Sequence, residues 1–394
     1  TIMKKIFLFI SIFFLLFQNN LFAAATFETS LNITASSAGS ELANKAFRAY
    51  RGITFNPSGN KMYIIHSKTT DSSDGSQDDI FEYSLGTPFD ISGTVTFTSE
   101  MAVRYKCHPS SGRFQQPGSI VFNNDGTKLI MANELNNSLD NDICIVSLTT
   151  PYDISTIQDD DTGIELDAGD TNIGENEAYG IAFNKDGTKM FVTSGSEEES
   201  DIGIFEFDLS TGFDVTTATY SNKYLDVTTQ SLDNPRGLKF SADGRQIFVV
   251  EEDDDEIHQW SLSTAFDLSS SITYRGKLDL TGQYRGIIGE SPYGVAQYLE
   301  FNNDGSKFYV TFSRWVNNNI TREMILQYSL DCPYGIVYCE SPVSGSDKGM
   351  IGVIESYTEM SKRVMKNNIK PVMHRLEWLR RHRKEDNLTN QNLK

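Results

Sequence analysis

Five times along the chain an apolar strand ending in Phe runs into a tight turn and a second apolar strand, and this repetition limits the fold more than any other feature. The copies are Gly52-Ile53-Thr54-Phe55 with Ser58-Gly59, Ile120-Val121-Phe122 with Asp125-Gly126, and Gly180-Ile181-Ala182-Phe183 with Asp186-Gly187. Gly237-Leu238-Lys239-Phe240 with Asp243-Gly244 and Tyr298-Leu299-Glu300-Phe301 with Asp304-Gly305 complete the set. Asp-Gly suits a hairpin turn because both residues tolerate positive φ at low cost. β-rich runs follow each turn, such as Met62-Tyr63-Ile64-Ile65 and Ile247-Phe248-Val249-Val250. The Phe-to-Phe spacings are 67, 61, 57 and 61 residues, which is one supersecondary unit per repeat.

A third strand closes each time on an aromatic or Val, a polar residue and Leu: Tyr83-Ser84-Leu85, Val146-Ser147-Leu148, Phe207-Asp208-Leu209, Trp260-Ser261-Leu262 and Tyr328-Ser329-Leu330. Phe89-Asp90, Tyr152-Asp153, Phe213-Asp214 and Phe266-Asp267 come next, with Tyr334-Gly335 as the departure. A fourth strand then follows, as in Thr273-Tyr274 with Leu278-Asp279-Leu280. Four antiparallel strands per repeat predict the radial blade of a β-propeller. The fifth repeat has no fourth strand of its own. Thr26-Phe27 with Leu31-Asn32-Ile33-Thr34 copies the missing piece, so the N-terminal segment is expected to close the ring and remove exposed edges. The fold class expected is all-β: a five-bladed propeller over residues 26–340, with a linker at 341–349 and a basic helical tail at 350–394.

Charge divides the chain in the same place. Residues 341–394 carry 11 Lys/Arg against 6 Asp/Glu, +5, while the rest carries 23 against 47, −24. An acidic body of this kind argues against a nucleic-acid partner. At the other end, Lys4 and Lys5, the apolar stretch Ile6 to Phe17 and Ala23-Ala24-Ala25 read as a signal peptide over residues 1–25, a retained anchor being the alternative. Met3 is the first plausible initiator, so the start reads as imprecise. Export to the periplasm, cell surface or medium suits the four cysteines, expected as Cys332–Cys339 and Cys107–Cys144 disulfides, with metal ligation as the alternative.

Beyond Cys339, Val353, Ile354, Tyr357, Met360, Val364 and Met365 form a rough helical stripe, which Pro371 divides. The tail is expected to dock on the propeller or a neighbour, to oligomerise, or to lie at a membrane surface. Asn368-Ile369-Lys370-Pro371, the run Arg375-Leu376-Glu377-Trp378-Leu379-Arg380-Arg381 and Asn387 to Asn392 resemble the junction of autotransporter-type outer-membrane proteins of marine bacteria. That resemblance implies a secreted passenger, a linker helix and a downstream outer-membrane β-barrel. Tyr83 to Ser92 and Val146 to Ser155 resemble a broad class of bacterial propellers whose scaffold carries no single activity.

Propeller sites gather where loops converge on the channel at one end, held by rigid strands. The segments leading into the first strands and those leaving the second strands nominate Arg51, His66, Glu134, Tyr179, Arg236, Glu251, Arg314 and Trp315 as channel-face ligand residues. The plainer reading is that such positions are polar because they are wet. Acidic runs at Asp78-Asp79, Asp140 with Asp142, Glu197 to Glu199 with Asp201, and Glu251 to Glu256 are expected as solvated loops, with Ca²⁺ binding as the alternative. Asp90, Asp153, Asp214 and Asp267 recur at one repeat position and are expected to fix turns, since an enzyme needs one asymmetric site. No cofactor is expected, and no Gly-x-Ser-x-Gly or His-Glu-x-x-His motif occurs. The function expected is a non-enzymatic binding or adhesion scaffold for a surface ligand, protein or glycan. The alternative is a secreted or periplasmic hydrolase acting at the channel.

Overall fold

The computed structural model describes residues 25–33, 48–68, 79–103, 106, 117–133, 142–158, 162–164, 166, 177–195, 202–281, 294–316 and 319–339. Strand β1 (Ala25–Asn32) stands first in the chain and is used last in the ring. The first repeat supplies β2 (Arg48–Phe55), β3 (Lys61–Lys68), β4 (Asp79–Thr87) and β5 (Asp90–Ala102). Next come β6 (Pro117–Phe122), β7 (Lys128–Asn133), β8 (Ile143–Ser147) and β9 (Thr162–Ile164), then β10 (Glu177–Phe183), β11 (Lys189–Gly195), β12 (Gly203–Leu209) and β13 (Ala218–Asp226). The fourth repeat forms β14 (Pro235–Phe240), β15 (Gln246–Glu251), β16 (Glu256–Leu262) and β17 (Ile272–Asp279). The fifth provides only β18 (Gly294–Phe301), β19 (Lys307–Val316) and β20 (Asn319–Leu330).

These twenty strands make five four-stranded antiparallel sheets, and the fifth has the order β1-β20-β19-β18. β1 pairs with β20 from Ala25↔Leu330 to Asn32↔Met324. First strands touch first strands around a closed circuit, β2 to β6, β10, β14, β18 and back to β2. The chain is therefore a five-bladed β-propeller whose last blade is completed by its N-terminal strand. The expected helical tail and linker fall outside the described residues, as do the segments ahead of Ala25.

One device is repeated in every blade. The five-residue turns 56–60, 123–127, 184–188, 241–245 and 302–306 each place a glycine at positive φ, between 67° and 73°. A side-chain oxygen at the first turn position accepts the backbone N–H that opens the second strand, as in Asn56 with Lys61 at 3.0 Å and Asn302 with Lys307 at 2.9 Å. The aromatic residue after the third strand also takes positive φ, at Phe89, Tyr152, Phe213, Phe266 and Tyr334. Its N–H donates to the turn glycine carbonyl and its ring covers the place a Cβ would occupy on that glycine. The same ring meets the Phe that ends the first strand, at 5.0–5.3 Å in all five blades. The Asp that follows accepts the N–H two residues on, at 2.9 Å in Ser92 and 3.0 Å in Ser269. Its recurrence is thus a turn requirement, as expected.

Apolar packing runs between blades, with clusters that each join two neighbours. The second-strand aromatic packs edge-on or tilted against the next blade's first-strand Phe in Tyr63–Phe122, Phe191–Phe240, Phe248–Phe301 and, across the closure, Tyr309–Phe55 at 4.7 Å. Closure is apolar as well: Ile33 lies in one buried cluster with Ile53, Phe81, Tyr309 and Ile325. A polar clamp adds to this. Glu82, Glu206, Gln259 and Gln327 share one repeat position, and each accepts a backbone N–H from the following blade: Ile154 at 3.3 Å, Leu268 at 2.9 Å, Val337 at 2.9 Å and Ile91 at 2.9 Å. Cys332 and Cys339 form a disulfide with Cα atoms 6.0 Å apart, and it ties down the segment that Gln259 grips. Cys144 is disulfide-bonded as well; its expected partner Cys107 lies outside the described residues.

Candidate functional site

The channel is lined by the first strands, and each of these carries a register shift at the same place: Tyr50/Ile53, Pro117/Ile120, Ala178/Ile181, Pro235/Leu238 and Ala296/Tyr298. A bulge frees its residues from the ladder and re-aims their side chains. Four residues before the strand-ending Phe, the bulges hold Arg51, Gly118, Tyr179, Arg236 and Gln297. Gly180 makes one of these bulges possible. A Cβ there would overlap the Arg236 carbonyl and stand 2.8 Å from Leu238 N, so only glycine allows the third and fourth blades to approach so closely.

Glu252 gathers these side chains into one network. Its Oε2 accepts from Arg236 Nε at 2.5 Å and from Asn234 Nδ2 at 3.1 Å, and its Oε1 accepts from Gln297 Nε2 at 2.5 Å. Arg51 Nη1 lies 3.8 Å from Oε1 and donates to Gln297 Oε1. Burial opposes the charge on Glu252, but Arg236 and Arg51 outweigh it and hold the carboxyl below its ordinary range. The Arg236 guanidinium sits 3.8 Å over the ring of Tyr179, a cation–π contact in a desolvated place. Tyr298 extends from the fifth blade to the third, where its hydroxyl donates to the Tyr179 carbonyl at 2.8 Å. Blades one and four, and three and five, are not neighbours in a ring of five. The Arg51–Glu252 and Tyr298–Tyr179 links therefore cross the channel, and with Tyr298 2% exposed they occlude it at this level.

Of the eight residues nominated from the sequence, Arg51, Tyr179 and Arg236 come together here. Glu251 is their neighbour in the chain and belongs to a different arrangement. It is 1% exposed, and its two oxygens accept from Asn234 N at 3.1 Å each, with Asp253 N at 3.3 Å from Oε1. His66 lies in the second strand from the axis, buried with its ring edge-on to Phe81 at 5.5 Å. Arg314 and Trp315 fall in β19 opposite Arg322 and Ile320, and Glu134 lies outside the described residues. The acidic run from Glu251 to Glu256, expected as a solvated loop, is exposed only at its tip, Asp253 and Asp254. Glu251, Asp255 and Glu256 are buried, and Asp255 accepts Ala296 N at 2.7 Å. The reason is that Glu251 and Asp255 satisfy buried backbone N–H groups of the fourth and fifth blades, while Glu256 pairs with Lys277 at 2.7 Å. Gln297 was missed because it carries neither charge nor aromaticity, and Tyr298 because it stands at a strand position where the other blades have Gly or Ser. Aligning the repeats on the strand-ending Phe would have found them. Among the described residues, no set of three or more His, Cys, Asp or Glu side chains is grouped to hold a metal ion.

Burial pushes the Glu251 carboxyl from its ordinary range up to about 8, with Asp253 and Asp233 adding to the effect and the two backbone N–H groups opposing it. A value raised on folding means that the folded chain holds this proton more tightly than the unfolded chain. The contribution to stability is complete below the ordinary carboxyl value near 4.5 and is lost as pH rises toward about 8. Glu251→Gln removes the dependence. Its stability relative to the native chain is expected to climb across that window by up to about 1.4 kcal/mol per pH unit, read as a rising difference in melting temperature. A parallel pair of melting curves from pH 5 to pH 8 (about one reading per half unit) would contradict this.

No family model matches the chain, and no curated protein matches it. Many solved structures are similar to it, among them the following three. The periplasmic gluconolactonase of Pseudomonas aeruginosa is 14% identical over 69% of this chain and 66% of its own, with a TM-score of 0.39. The chain thus spans just under two thirds of that enzyme's length. The exo-β-1,3-galactanase of Phanerochaete chrysosporium is 12% identical over 81% and 67%, with a TM-score of 0.48. The Cps50 (Swd1) β-propeller domain of Myceliophthora thermophila is 9% identical over 78% and 99%, with a TM-score of 0.37.

Proposed function

We propose that this chain is an exported binding scaffold that holds a surface ligand, protein or glycan, at the end of the ring where the first strands begin. The observation that carries this reading is the difference between the two ends. At one end all five first-to-second-strand turns have the same length and the same hydrogen bonds. At the other, the connections between second and third strands span 69–78, 134–142, 196–202, 252–255 and 317–318, a different length and chemistry in every blade. Uniform turns serve the scaffold, whereas loops that vary on a rigid support are where recognition is built. The polar network beneath that end supports the same reading, because Glu252, Arg51 and Arg236 are already engaged with one another. Export is supported by the N-terminal sequence pattern and by the bonded cysteines, which suit an oxidising compartment. The basic tail, on its resemblance, would join the propeller to an outer-membrane barrel.

One observation favours the hydrolase reading: Glu251 is an acid held protonated near neutral pH beside the channel, as a general acid would need. Both of its oxygens are spent on backbone N–H groups, so the scaffold reading is preferred. The full chain should bind saturably to a glycan array or to a cell-surface extract, and shortening 69–78 and 196–201 should remove that binding. It should not turn over chromogenic glycosides, esters or lactones. Turnover that falls by about a hundredfold in Glu251→Gln would replace this reading with the hydrolase.

A further inference from the structure

The opposite mouth of the channel, on the side of the uniform turns, has no role in the reading above. It opens into a cavity of about 310 Å³ whose walls include Phe122, Tyr152 and Phe301, adjoined by a second of about 240 Å³. Val121, Phe122, Asn124 and Lys239 line both. Lys239 and Glu300 occupy the repeat position just before the strand-ending Phe, where the other blades carry Thr54, Val121 and Ala182. At this position only the fourth and fifth blades carry charge; Lys185, in the turn of the third blade, adds a further charge to the wall of the second cavity. Lys239 Nζ donates to Glu300 Oε2 at 2.8 Å, and both side chains are largely shielded, at 16% and 13% exposure. Glu300 Oε1 accepts Phe301 N at 3.0 Å.

We infer that this mouth binds one residue of a neutral sugar, independently of the loop end. The pair is neutral as a unit, so an anion meets Glu300 and a cation meets Lys239, and neither gains. It still offers ammonium protons beyond the one given to Glu300, beside carboxylate lone pairs beyond those filled by Lys239 and Phe301. A hydroxyl group both donates and accepts, so adjacent hydroxyls on a ring fit a donor and an acceptor side by side. The aromatic walls supply the apolar surface that the C–H face of a sugar ring covers, and the volume lies in the range of small-ligand pockets. The mouth is also preformed, since every wall residue stands on a first strand or on the repeated turn device, and little ordering cost attends binding.

Saturation-transfer NMR on the full chain with the methyl glycosides of glucose, galactose, mannose and N-acetylglucosamine tests this, with glycine betaine and methyl phosphate as charged probes. At least one glycoside is expected to bind with a millimolar dissociation constant. Val121→Trp fills both cavities without removing a polar group and should weaken that binding by at least about tenfold. Glu300→Gln, which keeps the shape and loses the charge, should weaken it by about the same factor. Absence of transfer to every glycoside overturns the inference. So does glycoside binding undiminished in Val121→Trp, which would lie at the loop end and favour the scaffold reading alone. A stronger response from glycine betaine or methyl phosphate overturns the ligand class. Should Val121→Trp fail to give a cooperative melt, unchanged glycoside affinity in Glu300→Gln overturns the inference by itself.

Discussion

A chain that begins at Arg48 is expected to lose cooperative folding and to aggregate. Without β1, the fifth blade keeps three strands and β20 becomes an unpaired edge, a template for pairing with other chains. The loss extends beyond one row of hydrogen bonds. Ile33 leaves the buried cluster that joins Ile53 and Phe81 of the first blade to Tyr309 and Ile325 of the fifth. Glu28 leaves Lys307 and Gln327, whose nitrogens lie 2.6 Å from its carboxylate. Gln327 is also the clamp that accepts Ile91 N, so the contact between the last and first blades loosens from both sides. A loss of this size is comparable with the whole stability of a domain, about 5–15 kcal/mol. Circular dichroism melting and size exclusion of the truncated chain check it. A soluble monomer with a sharp transition would mean that the ring holds without its closing strand.

The second large effect is expected at Glu206. This side chain is fully buried, and its carboxylate accepts Leu268 N of the next blade at 2.9 Å while pairing with Lys223 at 2.9 Å and with Lys189. Glu206→Ala strands a buried N–H and takes the shared counter-ion from Lys189 and Lys223, of which Lys223 keeps Asp267 at 3.0 Å. Removing one partner from a buried pair costs about 3–5 kcal/mol. The blade interface should therefore open at a melting temperature lower by roughly 5–10 °C. Glu206→Gln keeps an acceptor for Leu268 N, and glutamine already fills this position at Gln259 and Gln327, so its cost is expected to be nearer 1–2 kcal/mol. Equal losses in the two variants would show that charge, not the clamp, is what the interface needs.

Repetition made the fold legible. The Phe that ends each first strand, the turn glycine and the aromatic after the third strand recur because each does the same steric work in every blade, and the Asp that follows recurs in four of the five. The copy of the fourth strand at Thr26 to Thr34 revealed the closure for the same reason. The channel residues were harder to read because their position is not repetitive: beside Arg51 and Arg236 it holds Gly118, Tyr179 and Gln297. Charge and aromaticity drew attention to three of them. Gln297 carries neither, and Tyr298 stands where the other blades have glycine or serine, so it read as a strand residue. Glu251 and Glu252 are adjacent in sequence and opposite in behaviour. Glu252 stays charged against two arginines, whereas Glu251 is raised by burial, and only the fold separates them. The acidic run at 251–256 misled because a row of carboxylates looks solvated until the backbone N–H groups it caps are in view.

Strand β1 places Thr26 beside Ser329 and Ser30 beside Leu326. The double variants Thr26→Cys with Ser329→Cys and Ser30→Cys with Leu326→Cys put thiols on Cα partners of the closing ladder, within the reach a disulfide requires. Mild oxidation of the folded chain should link at least one of these pairs within a single molecule, as mapped by peptide mass analysis, while a control pair shifted along β20 should not link. Free thiols in both pairs, or bonds formed only between molecules, would show that the N-terminal strand does not complete the last blade.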